Sequence, residues 1–407
     1  MLGRGYLDEV IGELKSGKEA TVYLGRTRVG LAAVKVYRDL AVRSFKNDAR
    51  YRVGRYIGDA RVEKAIAQRS AFGRRAQGRL WAAHEYAVLW RLWAAGVPVP
   101  EPLVAYASVE VHSCHQRSAE LLGLGAHALR LIPTDGEYRI DLAALHLAIA
   151  EDRAAGRKPF MVIGNAGTIN TGAIDDLDAI ADLCAEEGLR FHVDGAIGAM
   201  IGLAPALAPL LRGIERADSI ALDLHKWMHV PFEAGLVLVR DAAAQRATFE
   251  TSPAYLAHAP RGLAGGATWL TDFGLETSRD FKALKVWLSW MDRGVDAYGR
   301  MMQRNVDQAH HLAARVEREP LLELMAPVGL DIVCFRVHPE GWSEERLDAL
   351  NRELLMRVHE SGVAVPSYTT LGGRYCLRVA IGNHRSTFAD FDVFVDALLA
   401  MVGEVEA

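Results

Sequence analysis

Short apolar runs alternate with amphipathic segments from residue 106 onward, and this alternation constrains the fold more than any other feature of the sequence. Runs that are apolar throughout are typical of strands buried on both faces of a parallel sheet, with helices covering it. The predicted strands are 106–111, 129–132, 160–168, 189–194 and 219–224. The predicted helices are 112–122, 141–157 and 174–188. The sequence therefore predicts an α/β large domain with a mainly parallel sheet over residues 105–300.

Beyond this region the pattern changes to long helical segments that are followed by strands. The predicted helices are 279–319, 344–361 and 388–402, and the predicted strands are 321–325, 330–337 and 375–380. The helices carry apolar stripes at helical spacing, so they would pack on the strands as a second layer. We interpret residues 301–407 as a small α+β domain.

The first 104 residues differ from the rest in charge. They hold 19 Lys/Arg against 10 Asp/Glu, whereas the remaining residues hold 28 against 41, in a chain of net charge −4. A change of sign along one chain indicates two units of different origin. In the first unit a glycine turn separates strands at 10–14 and 21–24, and Lys35 lies on the apolar strand 31–37. A lysine on a buried strand needs an anionic partner, either a phosphate or Glu85 on a later helical segment.

Together these features resemble the N-terminal lobe of a RIO-type protein kinase, an α+β segment, over residues 5–104. The resemblance implies a nucleotide site with glycine-turn residues over the ATP phosphates and a lysine–glutamate ion pair. The residues concerned are Ser16, Gly17, Lys18, Lys35 and Glu85. A kinase also needs a catalytic-loop aspartate and a metal-binding aspartate. No His-Gly-Asp or His-Arg-Asp loop of that kind follows residue 104, so we interpret this ATP site as vestigial.

Four chemically versatile side chains lie at or just after the ends of predicted strands: His112, Thr168, Asp194 and Lys226. In parallel sheets covered by helices, ligands bind at the carboxyl ends of the strands. Each residue alone has a plainer interpretation, since an aspartate before glycine is often a turn or cap residue and a lysine before tryptophan is usually on the surface. Their shared placement favours one common site.

The motifs that carry a second resemblance are His112-Ser113, Gly167-Thr168, Asp194-Gly195-Ala196 and His225-Lys226-Trp227. In this order they closely resemble the group II amino-acid decarboxylases that depend on pyridoxal 5'-phosphate (PLP), over residues 106–407. The resemblance implies a large domain like that of the type I PLP-dependent transferases, followed by the small domain. It also implies a carbon–carbon lyase reaction, the decarboxylation of an L-amino acid.

The resemblance further implies a role for each matching residue. Lys226 would be the Schiff-base lysine, and Asp194 would pair with the pyridine nitrogen. His112 would stack on the cofactor ring, and Tyr255 would act on the substrate Cα from a mobile loop, usually in the site of the partner subunit. The other implied cofactor contacts are Thr168 and Ala196 beside the ring and His225 near the phosphate. We interpret His115 as structural.

One part of the family pattern is missing. The decarboxylases have a further N-terminal segment that supplies a dimerisation arm, part of the substrate pocket and a glycine/serine loop for the cofactor phosphate. No Ser-Gly-Gly-Ser-Glu-Ala-type loop precedes His112, and the RIO-like segment stands in its place. Two alternatives to a working decarboxylase therefore stay open: an ATP-binding, RIO-type serine kinase-like module, and a catalytically dead fusion of two enzyme fragments.

Composition limits the cellular location and the binding partners that we expect for this chain. No apolar run reaches 18 residues, and the N-terminus lacks the pattern of a signal peptide. The 4 cysteines are widely separated and match neither a zinc spacing nor a disulfide framework, so we expect no metal and a cytoplasmic location. The expected partners are an amino-acid substrate and a second copy of the chain in a homodimer, with no membrane and no nucleic acid.

Overall fold

The computed structural model describes residues 9–16, 20–27, 30–37, 102–250, 259, 261–262, 265 and 269–405. The chain divides into two compact units, 1–88 and 89–407. The first unit contains β1 (Glu9–Ser16), β2 (Ala20–Thr27) and β3 (Gly30–Tyr37), which form an antiparallel three-stranded sheet. The predicted strands at 10–14, 21–24 and 31–37 are confirmed. Ser16 ends β1 and Lys35 lies on β3, whereas Gly17, Lys18 and Glu85 lie outside the described residues.

The second unit is built on a six-stranded sheet. Its strands are β4 (Leu103–Ser108), β5 (Leu129–Ile132), β6 (Lys158–Asn165), β7 (Arg190–Asp194), β8 (Ser219–Asp223) and β9 (Gly235–Val239). They lie in the order β5-β4-β6-β7-β8-β9, and β9 alone in this sheet runs antiparallel to its neighbour. The mainly parallel α/β sheet is therefore confirmed. Strand β9 was not predicted.

Helices α1 (Cys114–Leu121), α2 (Leu142–Ala154), α3 (Leu177–Glu187) and α4 (Ala242–Phe249) lie between or after these strands. Local chemistry fixes the bounds of α3, because the Asp176 carboxylate accepts a hydrogen bond from the Ala179 N–H and Gly188 ends the helix at φ 64°. The helix packs close to the sheet, since a Cβ on Gly164 of β6 would lie 3.1 Å from the side chains of Leu177 and Ile180.

The C-terminal part contains α5 (Lys282–Arg293), α6 (Val295–Glu317), α7 (Glu344–Ser361) and α8 (Phe388–Val405). Its sheet is antiparallel, in the order β10 (Leu322–Leu324), β11 (Ile332–Val337), β13 (Arg374–Ala380) and β12 (Ser367–Leu371). This is the expected α+β layer.

Helix α6 belongs to two hydrophobic cores. Met302 and Val306 pack in the core of the large sheet, whereas Leu312 and Val316 pack in the core of the small sheet. The predicted domain limits at 104/105 and 300/301 stay predictions. None of the described helices is long and apolar enough to cross a membrane.

Candidate active site

A cavity of about 260 Å³ opens where β6, β7 and β8 end, beside the first turn of α1. Its wall includes His112, His115, Asp194, Ala196, Asp223 and Lys226. Ligand pockets usually measure about 300–1,000 Å³. We therefore interpret the described residues as forming part of a pocket.

Asp194 is the last residue of β7, and its side chain is only 12% exposed. One carboxylate oxygen, Oδ2, lies 2.8 Å from Nε2 of His115, and the other, Oδ1, accepts a hydrogen bond from the backbone N–H of Ala196 at 3.2 Å. Burial raises the pKa of Asp194, but the hydrogen bond and the charge of His115 outweigh it and hold the pKa below its usual value. The cavity therefore has an ionised carboxylate in its wall at neutral pH.

His115 also has an aromatic neighbour, His192 of β7. Their ring centroids are 5.8 Å apart in an edge-to-face arrangement, and Nδ1 of His192 lies 2.8 Å from Oγ of Ser219. Burial, together with the nearby charge of His115, lowers the pKa of His192 to about 4. His192 is therefore neutral at neutral pH.

Lys226 lies in the turn that follows β8. Its Nζ is 2.9 Å from Oδ2 of Asp223, and 41% of its side chain is exposed. The turn is held at its far end by the buried Trp227, whose indole N–H donates to Oδ1 of Asn305 on α6 at 3.1 Å. The sequence His-Lys-Trp thus presents an amine to the cavity on a turn anchored in the core.

Of the other predicted site residues, His112 lies in the cavity wall and Thr168 does not. His112 is exposed at the cavity wall, and its Nδ1 accepts a hydrogen bond from the backbone N–H of Cys114 at 3.3 Å. Thr168 is buried, and its Oγ1 lies 3.0 Å from Oγ1 of Thr171 and accepts from the N–H of Ala173. It holds its own loop together.

Two further predictions concern His225 and Tyr255. Nδ1 of His225 accepts from the N–H of Ala234 at 3.0 Å, and its ring packs edge-on against Phe232. Within the described residues His225 therefore lies beside the lysine turn, and it is not part of the cavity wall. Tyr255 lies outside the described residues.

The contact between His115 and Asp194 was not predicted, since His115 was interpreted as structural. In the predicted helix 112–122 His112 and His115 are three residues apart and would share one side, which was a usable signal. In the structure α1 begins at Cys114, so only His115 lies on the helix.

Three potential metal-ligand atoms, from Cys114, His115 and Asp194, lie within 4.8 Å of one another. Burial and the negative charge of Asp194 raise the pKa of the Cys114 thiol. Within this group His115 and Asp194 form the hydrogen-bonded pair described above, and the thiol lies beside it.

A larger cleft of about 690 Å³ lies between the residues after Trp227 and the helices α5 and α6. Its charged side chains include Arg293, Arg300 and Arg304, and it contains neither Lys226 nor Asp194. The smaller cavity, not the larger cleft, brings together the amine and the buried carboxylate.

Comparison with known proteins identifies the family to which this site belongs. The family described as the pyridoxal-dependent decarboxylase conserved domain matches residues 87–338. The chain belongs to the pyridoxal-dependent decarboxylase family. The RIO domain family matches residues 21–120, so both resemblances stated from the sequence are confirmed.

Individual members of the decarboxylase family are similar over most of this chain. An aromatic-L-amino-acid decarboxylase of Bacillus atrophaeus is 36% identical over 306 residues, which are 75% of this chain and 64% of the relative. The aromatic-L-amino-acid decarboxylase of Sus scrofa is 32% identical over 70% of this chain and 57% of its own. The chain thus spans less than two thirds of the length of these relatives.

Solved structures of the family give the same result for the fold. The Oryza sativa TDC structure with PLP and tryptamine has a TM-score of 0.71 and 29% identity, over 80% of this chain and 68% of that one. The glutamate decarboxylase domain of a Vibrio parahaemolyticus protein has a TM-score of 0.65 and 28% identity, over 80% and 67%.

This pyridoxal-dependent decarboxylase chain carries side chains that fit part of the cofactor. A PLP site needs an amine, a carboxylate for the pyridine nitrogen and a flat group beside the ring. Lys226, the buried Asp194 and His112 supply these three on one cavity wall. That wall includes no arginine, and its one lysine is Lys226. The described residues therefore fit the ring and the aldehyde end of PLP.

Proposed function

We propose that this chain decarboxylates an L-amino acid with PLP bound covalently to Lys226. The observation that carries the proposal is the presence of Lys226 and the ionised, half-buried Asp194 on the wall of one cavity at the carboxyl edge of the sheet. A reactive amine and a fixed negative charge are the two groups that PLP chemistry requires of a protein. The match to the decarboxylase family over residues 87–338 supports the reaction type.

When bound, PLP withdraws the electron pair that remains on Cα as carbon dioxide leaves. In the proposed mechanism, the chain's own residues provide position and charge. The Asp194 carboxylate, with its oxygens held by His115 and by the Ala196 N–H, would pair with the pyridine nitrogen and keep it protonated. His112 would lie beside the ring.

Lys226 would supply the amine that holds the cofactor through its aldehyde carbon. Asp223 lies 2.9 Å from the Lys226 amine and keeps it at the cavity. Tyr255 would deliver a proton to Cα, in line with the role that the resemblance implies for it. That proton would take the place of the lost carboxylate in the amine product.

We propose an aromatic L-amino acid as the substrate and a homodimer as the assembly. The relatives from Bacillus atrophaeus and Sus scrofa are aromatic-L-amino-acid decarboxylases, which supports an aromatic side chain. Helix α5 supports the dimer, because it has an apolar stripe on its surface. The stripe consists of Leu284, Trp287, Leu288 and Met291, which are 42–67% exposed.

The test is borohydride reduction of the full-length chain with PLP, followed by peptide mass mapping and assay of carbon dioxide release from L-tryptophan, L-tyrosine and L-phenylalanine. We expect a phosphopyridoxyl group on the peptide with Lys226 and its loss in Lys226→Ala. Lys285→Ala, on α5, is the matched control and should keep the adduct. Adducts scattered over other lysines, with no carbon dioxide released, would contradict the proposal and favour the catalytically dead fusion.

A further inference from the structure

We propose that His115 is a positioning residue that holds the Asp194 carboxylate in a fixed rotation, ready for the pyridine nitrogen of the cofactor. This inference rests on the proposed function for the identity of the ligand. Its own basis is the hydrogen-bonded pair between α1 and the end of β7, which the family comparison does not assign.

The Asp194 carboxylate is held on both of its oxygens. Its two oxygens have different partners, the His115 ring on Oδ2 and the Ala196 N–H on Oδ1. A carboxylate offers about four acceptor positions, and these partners use two of them. The remaining positions are available to a ligand in the cavity. A single partner would leave the group free to rotate about Cβ–Cγ, whereas two partners from separate segments fix its plane.

Two histidines, His115 and His192, lie near Asp194, and their contacts show which of them holds the carboxylate. His192 lies on the same strand as Asp194, but its Nδ1 is 2.8 Å from Ser219 and its ring lies edge-on to His115. His115 alone of the two contacts the carboxylate. The His192 ring packs edge-on against the His115 ring.

Positioning of the Asp194 carboxylate for the cofactor and simple stabilisation of α1 by that carboxylate have different measurable effects. The first turn of α1 contains no acidic residue, and Asp194 lies next to that turn. A carboxylate there could simply stabilise the helix N-terminus. That role would affect folding equally with and without PLP. A positioning role would affect the cofactor, in its affinity and in its absorption.

The experiment compares three variants of the full-length chain in EDTA: His115→Phe, His115→Gln and Gln116→Ala. Phenylalanine fills the space without a donor, glutamine keeps an N–H donor, and Gln116 is an exposed neighbour on α1. Readouts are the dissociation constant for PLP and the visible absorption band of the lysine-bound cofactor. Hydrogen bonds to charged groups give an expected loss of about 10- to 100-fold in PLP affinity for His115→Phe. His115→Gln should recover most of it, and Gln116→Ala should match the wild type.

Wild-type affinity and an unchanged absorption band in His115→Phe would overturn the inference while leaving the proposed function standing. A wild-type chain that takes no PLP at Lys226 would instead overturn the proposed function. The His115–Asp194 hydrogen bond would then be tested separately by a double-mutant cycle of His115→Phe and Asp194→Asn, with the free energy of chemical unfolding as the readout. Additive effects in that cycle would overturn the pairing as well.

Discussion

The indole N–H of Trp227 donates a hydrogen bond to Oδ1 of Asn305 at 3.1 Å, and this bond joins the turn that carries Lys226 to the long helix α6. Both residues are buried, and the amide of Asn305 also donates to Gln308 Oε1. The position of the reactive amine thus depends on a polar contact in the core between the turn and a helix that enters both cores.

Trp227→Phe should destabilise the chain, because it leaves the Asn305 oxygen buried without its donor. The expected loss in free energy of unfolding is about 1–3 kcal/mol. Urea denaturation measures it. Trp287→Phe on α5 is the matched control, since Trp287 is exposed, and its effect should be small. Equal losses in the two variants would contradict this account of the turn.

His192→Gln should reduce the dependence of stability on pH between about 6.5 and 4. The folded-state pKa of His192 is lowered to about 4 from 6.5 by burial and by the nearby His115, so the unfolded chain binds more protons in this window. Stability therefore rises with pH there and is lost as pH falls. Unfolding free energies measured at several pH values test it, with the exposed His310→Gln as control. An unchanged slope in His192→Gln would be evidence against the buried, neutral imidazole.

Gly195→Ala should lower both stability and PLP content. A Cβ at this position would overlap the side chain of Ala199 and approach the Ala221 carbonyl, so the segment between Asp194 and Ala196 would have to move. Overpacking of this kind costs about 1–3 kcal/mol. Thermal unfolding and the ratio of bound PLP to protein measure the two effects. Gly202→Ala, whose added Cβ would meet its nearest neighbour at 3.6 Å, should behave like the wild type.

Trp287→Glu should shift the proposed homodimer toward monomer. Leu284, Trp287, Leu288 and Met291 lie on one side of α5 at helical spacing, and all are exposed. A charge within such an apolar contact is costly to desolvate. Light scattering after size-exclusion chromatography gives the mass. A monomeric wild type, or a dimer that persists in the variant, would exclude α5 as the dimer contact.

The fold was predictable from the sequence to the extent that each element has its own local signal. The apolar run ending at Asp194 is flanked by a capped helix and a glycine, and the predicted strand end is confirmed. Strand β9 was missed because the prediction relied on strands that alternate with helices. An antiparallel strand such as β9 can follow its neighbour without a crossover helix.

The candidate site was predictable only in part, because its residues come from separate strands. The placement of Lys226 and Asp194 at strand ends brings them to one edge of a parallel sheet, and the cavity is found there. The His115–Asp194 contact depends on how closely α1 packs against β7. The two residues are 79 positions apart in the sequence, and no local sequence pattern indicates their contact. The roles assigned to the individual site residues all stay predictions.

Strand β9 has a practical consequence for handling the protein. Among the described residues it pairs only with β8, and its side chains Leu236, Val237 and Leu238 are 40–55% exposed. Such an edge is a template on which a strand of another molecule can add, and natural sheets often protect it with a lysine. Purified chain should therefore form high-molecular-weight aggregates as its concentration rises. Val237→Lys should reduce this aggregation, and light scattering at increasing concentration measures it.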